Sequence, residues 1–305
     1  MKNKIIIAAG TGFLGQVLEN HLTKNGYAVT ILSRHPKKAN HVFWNAKELG
    51  GWRNEFEGAY AVINLTGKSV DCRYNQKNKD AIYSSRIDST NIIGEAIQQC
   101  KQPPIVWINS STATIYQYSL KKEMSEENGD IGDDFSMNIA KSWEKAFYNH
   151  NFHNTRQLAI RTSIVLGENG GALKPLKNIT KLGLGGKQGS GNQKVSFIHE
   201  HDFARAIVFL LENKTINGNV NVTAPNPSNN KTLMSIIRKE LKIPIGIPQP
   251  KWMLEIGTFF LRTEAELVLK SRNVIPKRLL DNGFKFKYET IYETLNNLIS
   301  NNYQK

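Results

Sequence analysis

The chain has 305 residues, enough for one large domain or two modest ones with a substantial core. With 40% hydrophobic and 22% charged residues, its composition is that of a globular protein and excludes a low-complexity chain. The formal net charge of +14 would suit nucleic acid or an acidic ligand, but the basic residues are scattered and do not alternate with aromatic ones. We expect a small-molecule partner and no nucleic acid; nucleic-acid binding is kept as an alternative and a merely basic surface as the simplest explanation.

Cysteine usage and apolar runs indicate where the protein resides. Cys72 and Cys100 are too few for a disulfide scaffold and fit a reducing, cytoplasmic setting. The start of the chain imitates a signal peptide, but its apolar run is short and interrupted by glycines. The other apolar run, Trp252–Leu261, contains Glu255 and is too short to span a bilayer. We expect a cytoplasmic protein with no membrane partner.

The first predicted element is a strand, formed by the short β-branched run that follows Lys4, which leads into a glycine turn and then a helical pattern. The turn has the spacing Gly-x-Gly-x-x-Gly, in which the second glycine lets the backbone approach a pyrophosphate and the third lets the helix pack on the strand. The free N–H groups at the helix start then face the phosphates. An ordinary strand–helix turn is the alternative. The cofactor-binding residues predicted in this turn are Gly10, Thr11, Gly12, Phe13, Leu14 and Gly15.

The second predicted strand, Tyr27–Leu32, ends where the two nicotinamide cofactors are told apart. NAD sites usually place an acidic residue here to bond the ribose 2′-hydroxyl, whereas NADP sites lack the acid and supply arginine for the 2′-phosphate. Residues 27–39 contain four basic residues and no acidic one. We therefore predict NADP as the cofactor, with Ser33 and Arg34 as contacts. A solvated basic loop is the alternative.

Further strands alternate with helical patterns, which predicts right-handed βαβ units and a parallel sheet. Ligands bind beyond the carboxyl ends of such strands, so the residues at the end of the fourth strand should face the cofactor. Those residues are Asn64, Leu65, Thr66 and Gly67. The later strands are predicted at 41–44, 59–65, 105–109, 157–160, 195–199 and 219–222, and the later helices at 79–100, 135–148 and 202–211.

The composition changes after the sixth strand, where the chain becomes rich in glycine and then, beyond Pro225, mostly helical. We predict an α/β fold with a Rossmann-type, doubly wound parallel sheet and a smaller, mostly helical C-terminal substrate region. The NADP-binding domain is predicted to span 1–168, completed by roughly 195–224, and the substrate region to comprise 169–194 and 225–305.

Taken together, these motifs resemble the extended short-chain dehydrogenase/reductases, within the NAD(P)-dependent epimerase/dehydratase superfamily. More narrowly, nearly the whole chain is similar to an atypical, NADP-linked subgroup with a small C-terminal domain of unknown function. The resemblance implies an NADP-dependent oxidoreductase or epimerase acting on a hydroxyl or carbonyl carbon, and a possible homodimer. The matching motifs are Gly12–Gly15, Asn64–Gly67, Ser85-Arg86 with Thr90, Gly185–Gln193, Ile198-His199-x-x-Asp202, Ile275-Pro276 with Leu279, and Gly283-Phe284.

The largest departure from the resembled family lies at its catalytic Tyr-x-x-x-Lys motif. There the lysine and the cofactor lower the pKa of the tyrosine so that it can exchange a proton with substrate. The best match here is Met137 followed by Lys141, and methionine cannot transfer a proton. The resemblance then implies Thr112 as hydroxyl donor, Tyr116 as a substitute acid or base, and Lys141 as ribose contact. A packing role for Tyr116 and a solvated side chain for Lys141 are the alternatives. The alternative is a catalytically weak NADP-binding regulatory or scaffold protein.

Other side chains are singled out by their motifs. Arg161 follows the sixth strand, where members of the resembled family touch cofactor or substrate. Arg86 either faces a substrate anion or holds the loop after the fourth strand. His199 is expected to brace the substrate pocket. The turn itself departs from the usual Thr-Gly start, since Ala9 stands where glycine is preferred. No metal site is predicted, because no third ligand completes the two nearby histidines at 150 and 153.

Overall fold

The computed structural model describes residues 3–255 and 269–300. Eleven strands are assigned in this part of the chain, and the largest sheet has seven strands, all parallel, in the order β10-β6-β5-β4-β1-β2-β3. The strands are β1 (Lys4–Ala8), β2 (Ala28–Ser33), β3 (His41–Phe43), β4 (Ala61–Asn64), β5 (Val106–Thr112), β6 (Arg156–Thr162), β7 (Ile164–Leu166), β8 (Lys194–Val195), β9 (Phe197–His199), β10 (Gly218–Val222) and β11 (Ser228–Asn229).

Helices cover both faces of the sheet and make up much of the C-terminal region, which confirms the predicted Rossmann-type α/β fold. The strand order reverses between β1 and β4, so a crevice opens there at the carboxyl edge. The helices are α1 (Phe13–Lys24), α2 (Gln76–Gln98), α3 (Phe135–Tyr148), α4 (Leu173–Ile179), α5 (Glu200–Glu212), α6 (Asn230–Glu240), α7 (Lys277–Asp281) and α8 (Ile291–Ser300).

The central strands are buried on both faces, which explains their continuous apolar runs. Ile5, Ile6 and Ile7 are all fully buried, and alternate side chains point to opposite faces. Ile5 and Ile7 join a core formed with α1 and α5, whereas Ile6 joins a core formed with α2 and α3. The sheet therefore holds the first turn rigidly between two packed layers.

Local signals set the helix ends. α3 begins at Phe135 because the Asp134 carboxylate accepts a hydrogen bond from the Met137 N–H at 2.9 Å, so the range predicted for this helix is confirmed. α2 begins three residues earlier than predicted, because the Asn75 side chain accepts from the Asn78 N–H. β5 runs to Thr112, three residues beyond its predicted end.

The C-terminal region packs its own apolar core against β9. Leu233 and Ile237 of α6 meet Leu295 and Leu298 of α8 around Phe197. No helix in the described ranges is long and apolar enough to cross a membrane. Residues 256–261 of the apolar run that starts at Trp252 lie outside the described residues.

Candidate functional site

A cavity of about 1150 Å³ opens at the crevice at the carboxyl edge of the sheet. Its walls come from the turn after β1, the end of β2, the segment after β3, the loop after β4 and the first half of α2. Five of the predicted cofactor-binding residues line it: Thr11, Ser33, Arg34, Thr66 and Gly67. Its size slightly exceeds the usual range of small-molecule sites, about 300–1,000 Å³.

The three glycines of the first turn have different structural roles. A Cβ at Gly15 would lie 2.2 Å from the Gly10 carbonyl oxygen, so this glycine is required by the close packing of α1 on the turn. A Cβ at Gly12 would meet no atom within 4 Å, and its φ of −78° suits any residue. The fold therefore does not require glycine at position 12. A Cβ at Gly10 would lie 2.7 Å from the Ile31 side chain.

The backbone of the turn is strained at one position. Ala9 has a φ of +57°, in the left-handed region that normally favours glycine. A side chain there costs roughly 1 kcal/mol. Such strain is expected in a turn where alanine stands in place of the usual glycine.

Phe13 and Leu14 turn away from the large cavity. The Phe13 ring fills the space above a glycine-rich loop, where a Cβ at Gly167 or Gly170 would lie 2.3 Å from the ring. Leu14 packs partly buried on the sheet, and Leu65 packs on the same core. The cofactor contacts predicted for Phe13, Leu14 and Leu65 stay predictions. In the structure, these three side chains pack against neighbouring residues.

The rim of the cavity is basic. Arg34, His35, Lys47 and Lys68 line it, and no hydrogen bond or ion pair engages the Arg34 guanidinium within the described part of the chain. Glu19 also lines the cavity, but its carboxylate is already bound. The Lys38 ammonium lies 3.2 Å away and the Asn40 amide 3.0 Å away.

The cavity therefore keeps a surplus of positive charge. Burial alone would raise the pKa of Glu19, but the hydrogen bonds from Asn40 and Lys38 outweigh it and lower that pKa. The Ser33 hydroxyl accepts a hydrogen bond from the His35 N–H at 3.1 Å, which shapes the basic loop. Lys47 and Lys68 come from segments after β3 and β4, and no local sequence pattern marks them as part of the site.

The loop after β4 is held by buried polar groups. The Asn64 amide donates to the Asn109 Oδ1 at 2.8 Å, and its own oxygen accepts from the Thr66 N–H at 3.0 Å. The Arg86 guanidinium donates to the Lys68 carbonyl at 3.0 Å and lies against Gly67. Of the two roles left open for Arg86, the structure supports holding this loop, and burial lowers the pKa of Arg86 to about 10.

Two threonine hydroxyls lie at the carboxyl end of β5. The Thr112 and Thr114 oxygens are 2.7 Å apart, and the Thr114 N–H also donates to the Thr112 oxygen at 3.1 Å. Met137 is fully buried, whereas the half-exposed Lys141 ammonium pairs with the Asp133 carboxylate at 2.7 Å. The hydroxyls, unlike Met137, belong to partly buried residues at the edge where ligands bind.

Tyr116 and Arg161 belong to a buried network beneath this edge. The Tyr116 hydroxyl donates to the Asn221 Oδ1 at 2.9 Å and accepts from the Arg161 Nη1 at 2.8 Å. The other side of the guanidinium pairs with Glu144, whose carboxylate also accepts from the Ser111 hydroxyl at 2.6 Å. The structure therefore does not place Arg161 or Tyr116 where a cofactor or substrate contact requires them.

Two properties oppose proton transfer by Tyr116. Its side chain is 1% exposed, so substrate could reach the hydroxyl only if the ring moved. Burial raises the pKa of this tyrosine, opposite to the lowering that acid–base catalysis at neutral pH needs. Its role here is to connect β10, through Asn221, with the end of β5.

His199 is also buried, and its ring is held by neighbouring elements on both sides. Its Nδ1 accepts from the His201 N–H at 2.9 Å, and its Nε2 lies 3.0 Å from the Asn297 Oδ1. Its ring stacks on Tyr288 at 3.9 Å. Because both nitrogens are occupied and the side chain is 0% exposed, a substrate cannot contact His199 in this arrangement.

Asp202, the second residue of the same motif, is also bonded to the C-terminal region. Its fully buried carboxylate accepts from the backbone N–H groups of Lys287 and Tyr288, at 2.9 and 2.8 Å. Arg205 pairs with the same carboxylate at 2.5 Å. The motif thus fastens the C-terminal region to the start of α5. Across the described residues, no group of three potential metal ligands comes together.

Comparison with known proteins places these features in context. Residues 5–223 match the family model described as the NAD dependent epimerase/dehydratase family, and residues 249–298 match a domain of unknown function (DUF1731). The epimerase family protein YfhF of Bacillus subtilis (strain 168) is 35% identical over 303 residues, covering 97% of this chain and 98% of that protein.

Solved structures give the same picture of the fold. The crystal structure of human epimerase family protein SDR39U1 (isoform 2) with NADPH has a TM-score of 0.88 at 30% identity, covering 98% of this chain and 99% of that one. The UDP-glucose 4-epimerase with UDP-glucose from Thermotoga maritima has a TM-score of 0.78, covering 99% and 98%, but at 15% identity it bears on the fold alone.

Proposed function

Because this chain belongs to the NAD-dependent epimerase/dehydratase family, we propose that it binds NADP(H) and exchanges hydride with a hydroxyl or carbonyl carbon of a small molecule. The observation that carries the cofactor assignment is the unpartnered Arg34 guanidinium on the wall of the large cavity. The human relative crystallised with NADPH supports the choice. The residues around the crevice also fit such a cofactor, since Gly12 leaves open space and the rim is basic.

Each part of the cavity has a role in this proposal. The N–H groups of the turn at the start of α1 would hold the pyrophosphate, with Gly12 allowing close approach. Ser33 and Arg34 would hold the 2′-phosphate, because a planar guanidinium can bond a phosphate twice. Thr66 and Gly67 would face the nucleotide from the loop after β4. When bound, the nicotinamide supplies the hydride chemistry.

The hydroxyls of Thr112, at the end of β5, and Thr114, just beyond it, would orient the reacting oxygen. The Thr112 oxygen accepts from the Thr114 N–H and can also accept from the Thr114 hydroxyl, which leaves its own proton free to be donated. A hydrogen bond to the substrate oxygen stabilises the charge that develops there. Lys141 would contact the ribose after leaving Asp133, an exposed pair that costs little to break.

Replacing Arg34 by serine is expected to raise the dissociation constant for NADPH about tenfold and to leave that for NADH unchanged. The reason is that only NADPH carries the phosphate, and a hydrogen bond to a charged group contributes about 1.5–3 kcal/mol. Fluorescence titration with both cofactors measures this. Arg53→Ser, outside the cavity, is the matched control. Equal weakening of both cofactors would rule out a specific role in phosphate recognition.

Replacing Thr112 by valine is expected to lower turnover about a hundredfold while the affinity for NADPH stays the same, because one donor to the developing charge is lost. The measurement is NADPH absorbance during a screen of aldehydes, ketones and sugar nucleotides, followed by kinetics on any active compound. Thr114→Val should have a smaller effect. Turnover that survives in Thr112→Val would refute the assignment, and binding without turnover would favour the regulatory alternative.

A further inference from the structure

A second cavity, of about 460 Å³, lies between α1 and the start of α5. It shares only the side chains of Gln16 and Asn20 with the larger cavity. The other polar residues that line it are His21, Lys24, Asn169, Glu200 and His201, and Phe13, Val17 and Ala204 provide apolar lining. Neither the glycine turn nor the proposed cofactor site accounts for this cavity.

Basic side chains gather here without an acidic partner. His21, Lys24 and His201 come from two helices, and no ion pair of their side chains occurs within the described ranges. The nearby Arg205 is already paired with Asp202. Burial, followed by the charges of His201, Arg205 and Lys24, lowers the pKa of His21. The neutral form of His21 is therefore favoured in the protein as it stands.

Helix dipoles explain part of this arrangement but not all of it. His21 and Lys24 lie in the last turn of α1, where positive charge is favourable. His201 lies in the first turn of α5, where positive charge is unfavourable. The one acid of the cavity, Glu200, turns to the glycine-rich loop, where its carboxylate accepts from the Glu168 N–H at 3.1 Å. A bound anion would place negative charge beside Lys24 and at the start of α5, where negative charge is favourable.

We propose that this cavity is a binding site for a small phosphate monoester, distinct from the cofactor site. A monoester carries a charge of about −1.5 to −2 at neutral pH, which suits one lysine and two imidazoles. The amides of Gln16, Asn20 and Asn169 add neutral hydrogen-bond donors. The side chains of Phe13 and Val17 offer contact to an apolar substituent on the phosphate.

The site has a physical connection to the cofactor turn. Gln16 lines both cavities, and its amide donates to the Thr11 carbonyl at 2.8 Å. Phe13 begins α1 and also lines the smaller cavity. A ligand bound between α1 and α5 would thus contact the same helix that begins at the predicted pyrophosphate site.

The test uses phenyl phosphate as the probe and the full-length protein with isotope-labelled histidines. NMR titration at constant pH, with and without saturating NADPH, reports on the side-chain resonances of His21 and His201. We expect both to shift with saturable 1:1 binding that persists when NADPH fills the cofactor site. The resonances report on this cavity even if NADPH does not bind, so the two proposals fail independently.

Variants and related probes sharpen the result. The double variant Lys24→Gln/His201→Gln should weaken phenyl phosphate binding at least tenfold, read at His21, without changing the unfolding temperature. Lys214→Gln, an exposed lysine just past α5, should have no effect. Benzoate should bind more weakly and phenol not at all. No shift at either histidine, undiminished binding in the double variant, or equal binding of benzoate would overturn the proposal.

Discussion

Replacing Gly12 by valine is expected to weaken NADPH binding about a hundredfold and to leave the free energy of unfolding within about 1 kcal/mol of the native value. The open space around the would-be Cβ means that the folded chain tolerates the side chain. The same space is where a pyrophosphate would approach the turn, so the valine methyl groups would exclude it. Isothermal titration with NADPH and chemical denaturation measure the two effects.

Two other glycines serve as comparisons. A Cβ at Gly51 also meets nothing within 4 Å, but this residue lies outside the cavity, so Gly51→Val should change neither measurement. Gly15→Ala should instead destabilise the protein by about 3 kcal/mol, because its methyl group would overlap the Gly10 carbonyl. Native NADPH affinity in Gly12→Val would show that the cofactor phosphates do not lie on this turn.

The free energy of unfolding is expected to fall by about 3 kcal/mol between pH 7 and pH 4 on account of His199 alone. Burial lowers the pKa of His199 to about 4, whereas an unfolded chain has the ordinary value near 6.5. Below pH 6.5 the unfolded chain therefore binds a proton that the folded chain does not. The stabilisation is complete above pH 6.5 and is lost as the pH falls toward 4.

The hydrogen bonds of His199 give the physical reason. Its Nδ1 accepts from a backbone N–H, so the neutral ring must carry its proton on Nε2, where it can donate to Asn297. Charging the ring would put a second proton on Nδ1 and break the cap of α5. The neighbouring charges, Asp202 and Lys287, act in opposite directions on the pKa of this histidine.

The variant His199→Asn separates this effect from the titration of carboxylates. Asparagine can still cap α5 but does not titrate. Denaturation at pH 7, 6, 5 and 4 should give a shallower pH dependence for the variant than for the native protein, whatever their difference at pH 7. Parallel profiles for the two proteins would contradict the prediction.

Local chemistry made much of the fold predictable. The apolar residues of α3 and the carboxylate of Asp134 that caps it lie close together in the sequence, and both ends of that helix are as predicted. The end of β5 was missed because Ser110 to Thr112 show no apolar pattern. They belong to the strand because their backbones pair with Ile160 to Thr162 of β6, a contact between distant parts of the chain.

The candidate site was likewise predictable where its signal is local in the sequence, and not where it depends on contacts between distant residues. The glycine turn and the end of β2 are local patterns, and Thr11 from the first and Ser33 and Arg34 from the second line one cavity. The ion pair of Arg161 with Glu144 could not be predicted, because Glu144 lies on another element and nothing in the sequence shows a buried ion pair. His199 and Asp202 were recognised as a motif, but their partners lie 98 and 85 to 86 residues further along the chain.

The fastening of the C-terminal region by His199 and Asp202 bears on how the chain unfolds. A chain cut after residue 224 would keep every strand of the main sheet but would remove Asn297 from His199 and two backbone N–H donors from the buried Asp202 carboxylate. Asn221 would lose the Ile275 carbonyl at the same time. The two parts of the chain should therefore melt in one cooperative transition, and the shortened chain should be prone to aggregation rather than behave as an autonomous nucleotide-binding module.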